Sequence, residues 1–237
     1  MIGLDSIENG HLVILDAGHG GVEGYTFGSP VCDPTRYSTY PSKSFRHVGV
    51  ADQFHGDGWF FEGVWNRWVT SLVEKELTRL GIPWIAVYRN YLTVHHDISL
   101  ETRVQQANWY HTQLRPKRSL FISNHANASV SHDARGYEVF TSPGQTLSDY
   151  AAEIHFKRTR ALLGNRIAYR PGEWEKDFPD LDKEANFYVL RKTIMPAILI
   201  EHLFYDQIDD ARLLFDPTIV SLFAEATVQT VLEFFTM

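Results

Sequence analysis

The 237-residue chain holds a single cysteine, Cys32, so no internal disulfide can staple it. Cys32 lies in Ser29-Pro30-Val31-Cys32-Asp33-Pro34, a polar, proline-rich stretch with no strand before it, which is a poor setting for a catalytic thiolate. Positive charge is scarce. Against 29 Asp and Glu there are 22 Lys and Arg, a net charge of −7 that argues against a nucleic-acid backbone as partner. No stretch reads as the roughly 20 apolar residues of a membrane span. Residues 1–10 are acidic, without a charged n-region or a long apolar run, so a soluble protein with no secretion signal is expected. Repeats, low-complexity tracts and composition shifts are also missing, which leaves one domain over residues 1–237. What remains is an ordinary globular composition, 44% hydrophobic, enough for a sizeable core; nothing in it fixes an oligomeric state.

The apolar periodicity alternates between strand and helix. His11 to Leu15 reads as a buried strand, and Glu62 to Leu80 as a helix with Val64, Trp68, Val69, Leu72, Val73, Leu77 and Leu80 at helical spacing. Gly81 and Pro83 stop that helix. Trp84 to Tyr88 reads as a strand, Ser99 to Gln113 as a helix capped by Ser99, and Leu120 to Ser123 as another buried strand. Gly136 to Thr141 alternates as a strand does. Leu147 to Leu163 is helical, with Tyr150, Ile154 and Leu162 as core candidates, and strands follow at Phe187 to Leu190 and Ala197 to Glu201. A short helix near Asp209 to Phe215 and an amphipathic one from Pro217 to about Phe235 close the chain. This order predicts an α/β fold: a single domain with a mostly parallel twisted sheet and helices on both faces. Residues 22–58 and 170–186 read as polar loops. The first is long for a compact domain, and such loops are usually functional or disordered.

Four islands carry the chemistry. His19 sits among glycines after the first strand, His125 follows the strand Leu120 to Ser123, Glu201 ends the apolar run Ala197-Ile198-Leu199-Ile200, and Glu62 opens the first long helix. Three of them fall where strands end, at the carboxyl edge where open α/β sheets bind ligands. Two His, one carboxylate and a water form a common catalytic zinc shell, and a further Glu nearby can move protons. Each residue has a plainer reading as well. His19 suits a structural loop, Glu62 favours the helix dipole in a first turn, and Glu201 suits a buried pair with Arg103 or Arg191. The juxtaposition His95-His96-Asp97 looks like a ligand cluster, and Asp57, between Gly56 and Gly58, reads as a turn.

Taken in order, these motifs resemble the zinc-dependent N-acetylmuramoyl-L-alanine amidases of the amidase-3 family. The likeness runs through Gly18-His19-Gly20-Gly21, Glu62 with Asn66, Arg89, Asp97, Arg103-Val104-Gln105-Gln106-Ala107-Asn108, and Ser123 to Asn127. It continues through Gly136 to Phe140, Tyr188 to Arg191 and Pro196 to Glu201. The resemblance implies Zn2+ held by His19, Glu62 and His125, with Glu201 as catalytic acid and base. The implied substrate is peptidoglycan, cut at the amide between N-acetylmuramic acid and the L-alanine of the stem peptide. It also implies that His95, His96 and Asp97 belong to a structural connection rather than a second metal site.

The chain departs from the family pattern in two places. His202 and Leu203 follow Glu201 before the aromatic Phe204, and His202 is expected to support the metal site from behind its ligands or simply to pack. The loop between His19 and Glu62 is long and carries Tyr25, Phe27, Tyr37, Tyr40, Trp59 and Phe60, which either shape the groove or pack on themselves. A catalytic domain without a wall-binding module or leader suits a phage lysis enzyme, or a bacterial enzyme whose leader is removed. The first rival is a zinc amidohydrolase or carboxypeptidase acting on a soluble N-acyl amino acid or peptide. The second is a non-catalytic wall-binding module, which would normally have lost one of the four acidic or imidazole groups.

Overall fold

The structure is a computed structural model and describes residues 10–23, 34–48, 58–89, 95–172, 174–175 and 178–236. In chain order its strands and helices are β1 (His11–Ala17), β2 (Ser44–Arg46), β3 (Trp59–Phe61), α1 (Glu62–Arg79), β4 (Trp84–Ala86), α2 (Leu100–Leu114), β5 (Arg118–Asn127) and β6 (Glu138–Thr141). They continue with α3 (Leu147–Leu163), β7 (Trp174–Glu175), β8 (Phe178–Pro179), β9 (Lys183–Glu184), α4 (Tyr188–Lys192), β10 (Ala197–Phe204), α5 (Ile208–Leu214) and α6 (Pro217–Phe235).

The central sheet runs β4-β1-β5-β10-β6-β9. From β4 to β10 the strands are parallel, and β6 joins β10 antiparallel. The buried strands are apolar on both faces, as parallel strands covered by helices must be. Val13, Leu15, Leu120, Ile122, Ile198 and Ile200 face one core with α1, α3 and α6. Their neighbours Leu12, Ile14, Phe121, Ala197 and Leu199 face a second core with α2 and α4. The expected α/β domain with helices on both faces is therefore the observed one.

The differences have local causes. Residues Phe187 to Leu190 do not form a strand. Tyr188–Lys192 is the helix α4, which buries Val189 and Leu190 in the second core. Four apolar residues are too few for periodicity to separate strand from helix. Both buried strands outrun their apolar cores: β5 continues through His125 to Asn127, and β10 through Glu201 to Phe204 with a register shift after Glu201. His125 thus lies within its strand rather than beyond it, and Glu201 lies inside its strand rather than at the end. The loop at 22–58 contains a 3-10 turn (Pro34–Arg36) and β2, which pairs antiparallel with β3 just beyond the loop, and the loop at 170–186 contains the short pair β7–β8 and the edge strand β9. Of the expected core residues of α3, Ile154 is buried, Leu162 half-buried, and Tyr150 exposed at 37%. Ser99 caps α2 as expected, its hydroxyl accepting from the Thr102 amide at 3.2 Å. Cys32, Tyr25, Phe27 and Asp57 lie outside the described residues.

Helix α6 corrects the reading of the apolar runs: at 19 residues it is long and apolar enough to cross a membrane by length and composition. It packs instead along α3 and α1, where Val220, Phe223, Val231 and Phe234 are fully buried in the first core.

That core encloses His155, wholly buried, with the Tyr137 hydroxyl at 2.6 Å from Nδ1 and the Thr227 hydroxyl at 3.1 Å from Nε2. Burial pushes its pKa from 6.5 down to about 3. A folded-state pKa below the unfolded one means that the folded form resists the proton, so the stability His155 contributes is present above pH 6.5 and lost on the way down to pH 3. Wild type should lose about 1.4 kcal/mol per pH unit relative to a His155→Gln variant within that window. Paired urea titrations at several pH values check this, and parallel curves for the two proteins would contradict it.

Candidate metal centre

The site is built where β1, β5 and β10 lie side by side, with the N-terminus of α1 above them. β1 ends at Ala17, and the Gly18 amide donates to the Asn124 carbonyl at 3.0 Å. A Cβ on Gly18 would lie 1.9 Å from the His125 ring, so the glycine is what lets the loop pass over β5. His19 then adopts a left-handed backbone, φ 63°, sparsely populated for a residue with a side chain and typical of functional positions. Two cations hold the turn through the His19 carbonyl, which accepts from Arg67 Nη1 at 2.7 Å and Arg103 Nη2 at 3.2 Å.

Glu62 is the first residue of α1 and is only 1% exposed. The helix has no side-chain N-cap; residues 34–48 satisfy its first amides instead. The Glu62 amide donates to the Lys43 carbonyl at 3.0 Å and the Gly63 amide to the Tyr37 hydroxyl at 3.0 Å. Glu62 Oε1 lies 3.3 Å from His19 Nε2 and 3.0 Å from His125 Nδ1. The two rings stand edge to face with centroids 5.1 Å apart. One ligand atom from each of His19, Glu62 and His125 lies within 4.8 Å of the others, the one such group among the described residues. Burial alone would raise the Glu62 carboxyl, but the His19 and His125 rings beside it outweigh that and hold it well below the usual carboxylate range. Its second oxygen, Oε2, is buried without a hydrogen-bond partner, and Lys43 Nζ stands 3.7 Å away. An imidazole–carboxylate–imidazole set with a spare buried oxygen fits a divalent ion such as zinc.

The packing of α1 on the glycine loop is tight. A Cβ on Gly63 would lie 1.8 Å from the Gly20 carbonyl oxygen, which is backbone and cannot swing aside. Gly63→Ala should improve the intrinsic helix propensity of α1 by up to about 1 kcal/mol. The displacement of Glu62 should nonetheless lower metal affinity by about 10–100-fold, as loss of a positioning contact does. Competition with a chromophoric chelator measures this, and unchanged affinity would mean that the loop can move without disturbing the group.

Glu201 lies in register beside His125 on one side and Glu138 on the other, a row of three across β5, β10 and β6. Glu138 is compensated: it accepts from Arg170, from Lys183 Nζ at 2.6 Å and from Asn127 Nδ2 at 2.9 Å. Glu201 is not, and its Oε2 is buried without a partner. Burial first, then the charges of Glu62 and Glu138, raise its pKa well above the usual value against the pull of Lys43. The alternative pairing with Arg103 does not occur, because Arg103 is bound to Asp16 and Asp97, and Arg191 is exposed on α4.

His202 points to the opposite face of β10, fully buried against Trp65 and Phe223. Its Nε2 lies 3.0 Å from Asn124 Oδ1, and Asn124 in turn donates to Thr70 at 3.0 Å. It is a packed imidazole that steadies the residue before His125, and burial lowers its pKa well below normal. His95 serves through its carbonyl, which accepts from the Gly21 amide and the Ser38 hydroxyl, both at 2.7 Å. Asp97 pairs with Arg103 at 3.1 Å. Several of the insertion's aromatics pack on one another: Trp59 stacks on Phe61, Tyr37 lies tilted against Phe61 and Tyr40 meets Trp59 edge to face, whereas Phe60 stacks on Tyr205 in the first core. Asn66, part of the sequence pattern, donates to the Gly18 carbonyl at 3.1 Å and so ties α1 to the loop bearing His19. Lys43 was not distinguishable in the sequence, because it stands in no pattern that marks a site; Asp16 stands three residues before His19, but its pairing with Arg103 is set by the fold.

Sheet and donor set together define an α/β domain with a group that could hold a metal ion at the carboxyl edge of its parallel strands. The chain belongs to the N-acetylmuramoyl-L-alanine amidase family, whose model matches residues 13–233. It is 31% identical over 118 residues to the sporulation-specific N-acetylmuramoyl-L-alanine amidase of Bacillus subtilis, covering 48% of this chain and 37% of that protein. The chain therefore spans well under half the length of that curated relative. Among solved structures, the N-acetylmuramoyl-L-alanine amidase of Clostridium difficile 630 superposes with a TM-score of 0.66 at 22% identity, covering 95% of this chain and 96% of that one. The N-acetylmuramyl-L-alanine amidase of Mycobacterium smegmatis gives 0.65 at 21% identity, covering 98% and 99%. At such identities the likeness to these structures speaks for the fold.

Proposed function

We propose that this chain hydrolyses peptidoglycan at the amide joining N-acetylmuramic acid to the L-alanine of the stem peptide, with zinc held by His19, Glu62 and His125. The observation that carries the reading is the buried His19–Glu62–His125 group with Glu201 in register beside it, in a chain of the amidase family. Bound at that group, zinc supplies Lewis-acid polarisation of the scissile carbonyl and lowers the pKa of a water molecule. Glu201 acts as general base and then general acid: a carboxylate oxygen accepts the proton of the attacking water and returns it to the departing alanine nitrogen. The unpaired Oε2 leaves that carboxylate free for the transfer. Arg67 and Arg103 fix His19 through its carbonyl, and Asn66 fixes the loop before it. The protein then acts on the cell wall, whichever compartment delivers it there.

Digestion of purified peptidoglycan tests this. New L-alanine amino termini without new reducing sugar ends should appear, vanish with chelator and return with added zinc. New reducing ends would point to a glycosidase, and release only from soluble N-acyl peptides would favour a small-substrate amidohydrolase.

A further inference from the structure

Three acids meet at the site, and two of them are accounted for: Glu62 by the two imidazoles and Glu138 by Arg170, Lys183 and Asn127. Glu201, beside them, is a third carboxylate, with Oε2 buried and unpartnered. The insertion supplies an opposing charge. Among the described residues, Lys43 is the lysine or arginine within 4 Å of the Glu62 carboxylate, at 3.7 Å from Oε2. That distance is an ion pair beyond hydrogen-bond reach, so the Glu62 carboxylate does not saturate the ammonium. The Lys43 side chain is 44% exposed while that of Glu62 is 2% exposed, so the charge stands on the solvent side of the buried group, at the rim. Its backbone is nevertheless firmly placed. Lys43 has a left-handed φ of 58°, its carbonyl accepts from the Glu62 amide at 3.0 Å, and the next residue, Ser44, pairs with Phe61 in the β2–β3 hairpin. A long, flexible cation on a fixed stalk beside a buried reacting group is suited to catch an anionic part of a ligand that enters from solvent.

We propose that Lys43 is a specificity-determining residue: its ammonium takes a free carboxylate on the peptide side of the scissile amide. The inference rests on the amidase reading and refines it, since it makes the acid form of the stem peptide the preferred one. The test uses zinc-loaded protein carrying Glu201→Gln, so that ligand survives, and two N-acetylmuramoyl dipeptides that differ only in whether the second residue's α-carboxyl is free or amidated. Calorimetry should show the acid form binding roughly fivefold more tightly, the upper range for a part-exposed ion pair. Lys43→Met should bring the two peptides level by weakening the acid form alone, and Lys43→Arg should restore the difference. Zinc content, measured on each variant, should stay the same. A preference that survives Lys43→Met, or an equal loss for both peptides, overturns the inference while leaving the amidase reading intact if the wild-type protein, with Glu201 in place, still cuts them. Failure of the wild-type protein to cut either peptide or whole peptidoglycan overturns the amidase reading, and the inference with it.

Discussion

Replacing Glu201 by Gln yields a folded protein that still takes up one zinc but has lost amide hydrolysis by about 10³-fold, the scale of a removed general acid–base. The fold survives because the substitution keeps shape and removes a charge that the structure does not satisfy: Oε2 is buried without a partner, and Glu138 stands directly opposite on β6. Like charges opposite one another on a sheet face destabilise it. Thermal unfolding of the variant should therefore come at or above the wild-type temperature. Metal uptake survives because the group of mutually close ligand atoms is His19, Glu62 and His125 without Glu201. The control is Glu62→Gln, which should lose zinc and activity together. Activity retained in Glu201→Gln would move the proton-transfer role to another residue, and zinc lost with it would make Glu201 a ligand.

The site was legible where chemistry and pattern coincide. His19 follows a buried strand and a glycine, His125 continues a buried strand, and Glu62 opens a helix whose apolar spacing is plain over four turns. Parallel pairing of β1 with β5 and of β5 with β10 then brings these positions together, and such pairing is what strand–helix alternation predicts. Features set by tertiary contacts alone were not legible. Residues Tyr188–Lys192 carry too short an apolar run to declare a helix, and become one because Val189 and Leu190 fit against α2. β9 is two residues long and exists through its pairing with β6. Lys43 lies in an aperiodic stretch, and only the β2–β3 hairpin brings it to Glu62. The extents of β5 and β10 beyond their apolar cores depend on the strand neighbours that pair with polar residues there, which a hydrophobic pattern does not report.

Arg103→Met should be the most damaging single change outside the metal group. Arg103 is 1% exposed and forms an ion pair with Asp16, itself 1% exposed, at the end of β1. The same guanidinium donates to the carbonyls of Ala17, His19 and Ile98 and to Asp97. Methionine fills part of the volume but leaves Asp16 with the Ser123 hydroxyl, at 2.7 Å, as its remaining strong partner. Breaking a buried pair on one side costs about 3–5 kcal/mol, because an uncompensated charge stays behind. Burial favours the protonated form of Asp16, and Arg103 together with Ser123 holds its pKa below the normal 3.8. In wild type that depressed pKa contributes stability above pH 3.8 which is lost as pH falls through the folded value. In the variant the charge loses its counter-ion, Asp16 takes up a proton at higher pH, and the stability deficit should narrow steadily as the solution is acidified. Arg103→Met/Asp16→Asn should recover much of the loss at neutral pH for the same reason. Metal affinity in the single variant should fall about 10–100-fold, since the His19 carbonyl loses one of its two cationic anchors. Urea denaturation across pH and chelator competition measure both quantities. A deficit that does not change with pH would mean that packing, rather than the stranded Asp16 charge, accounts for the damage.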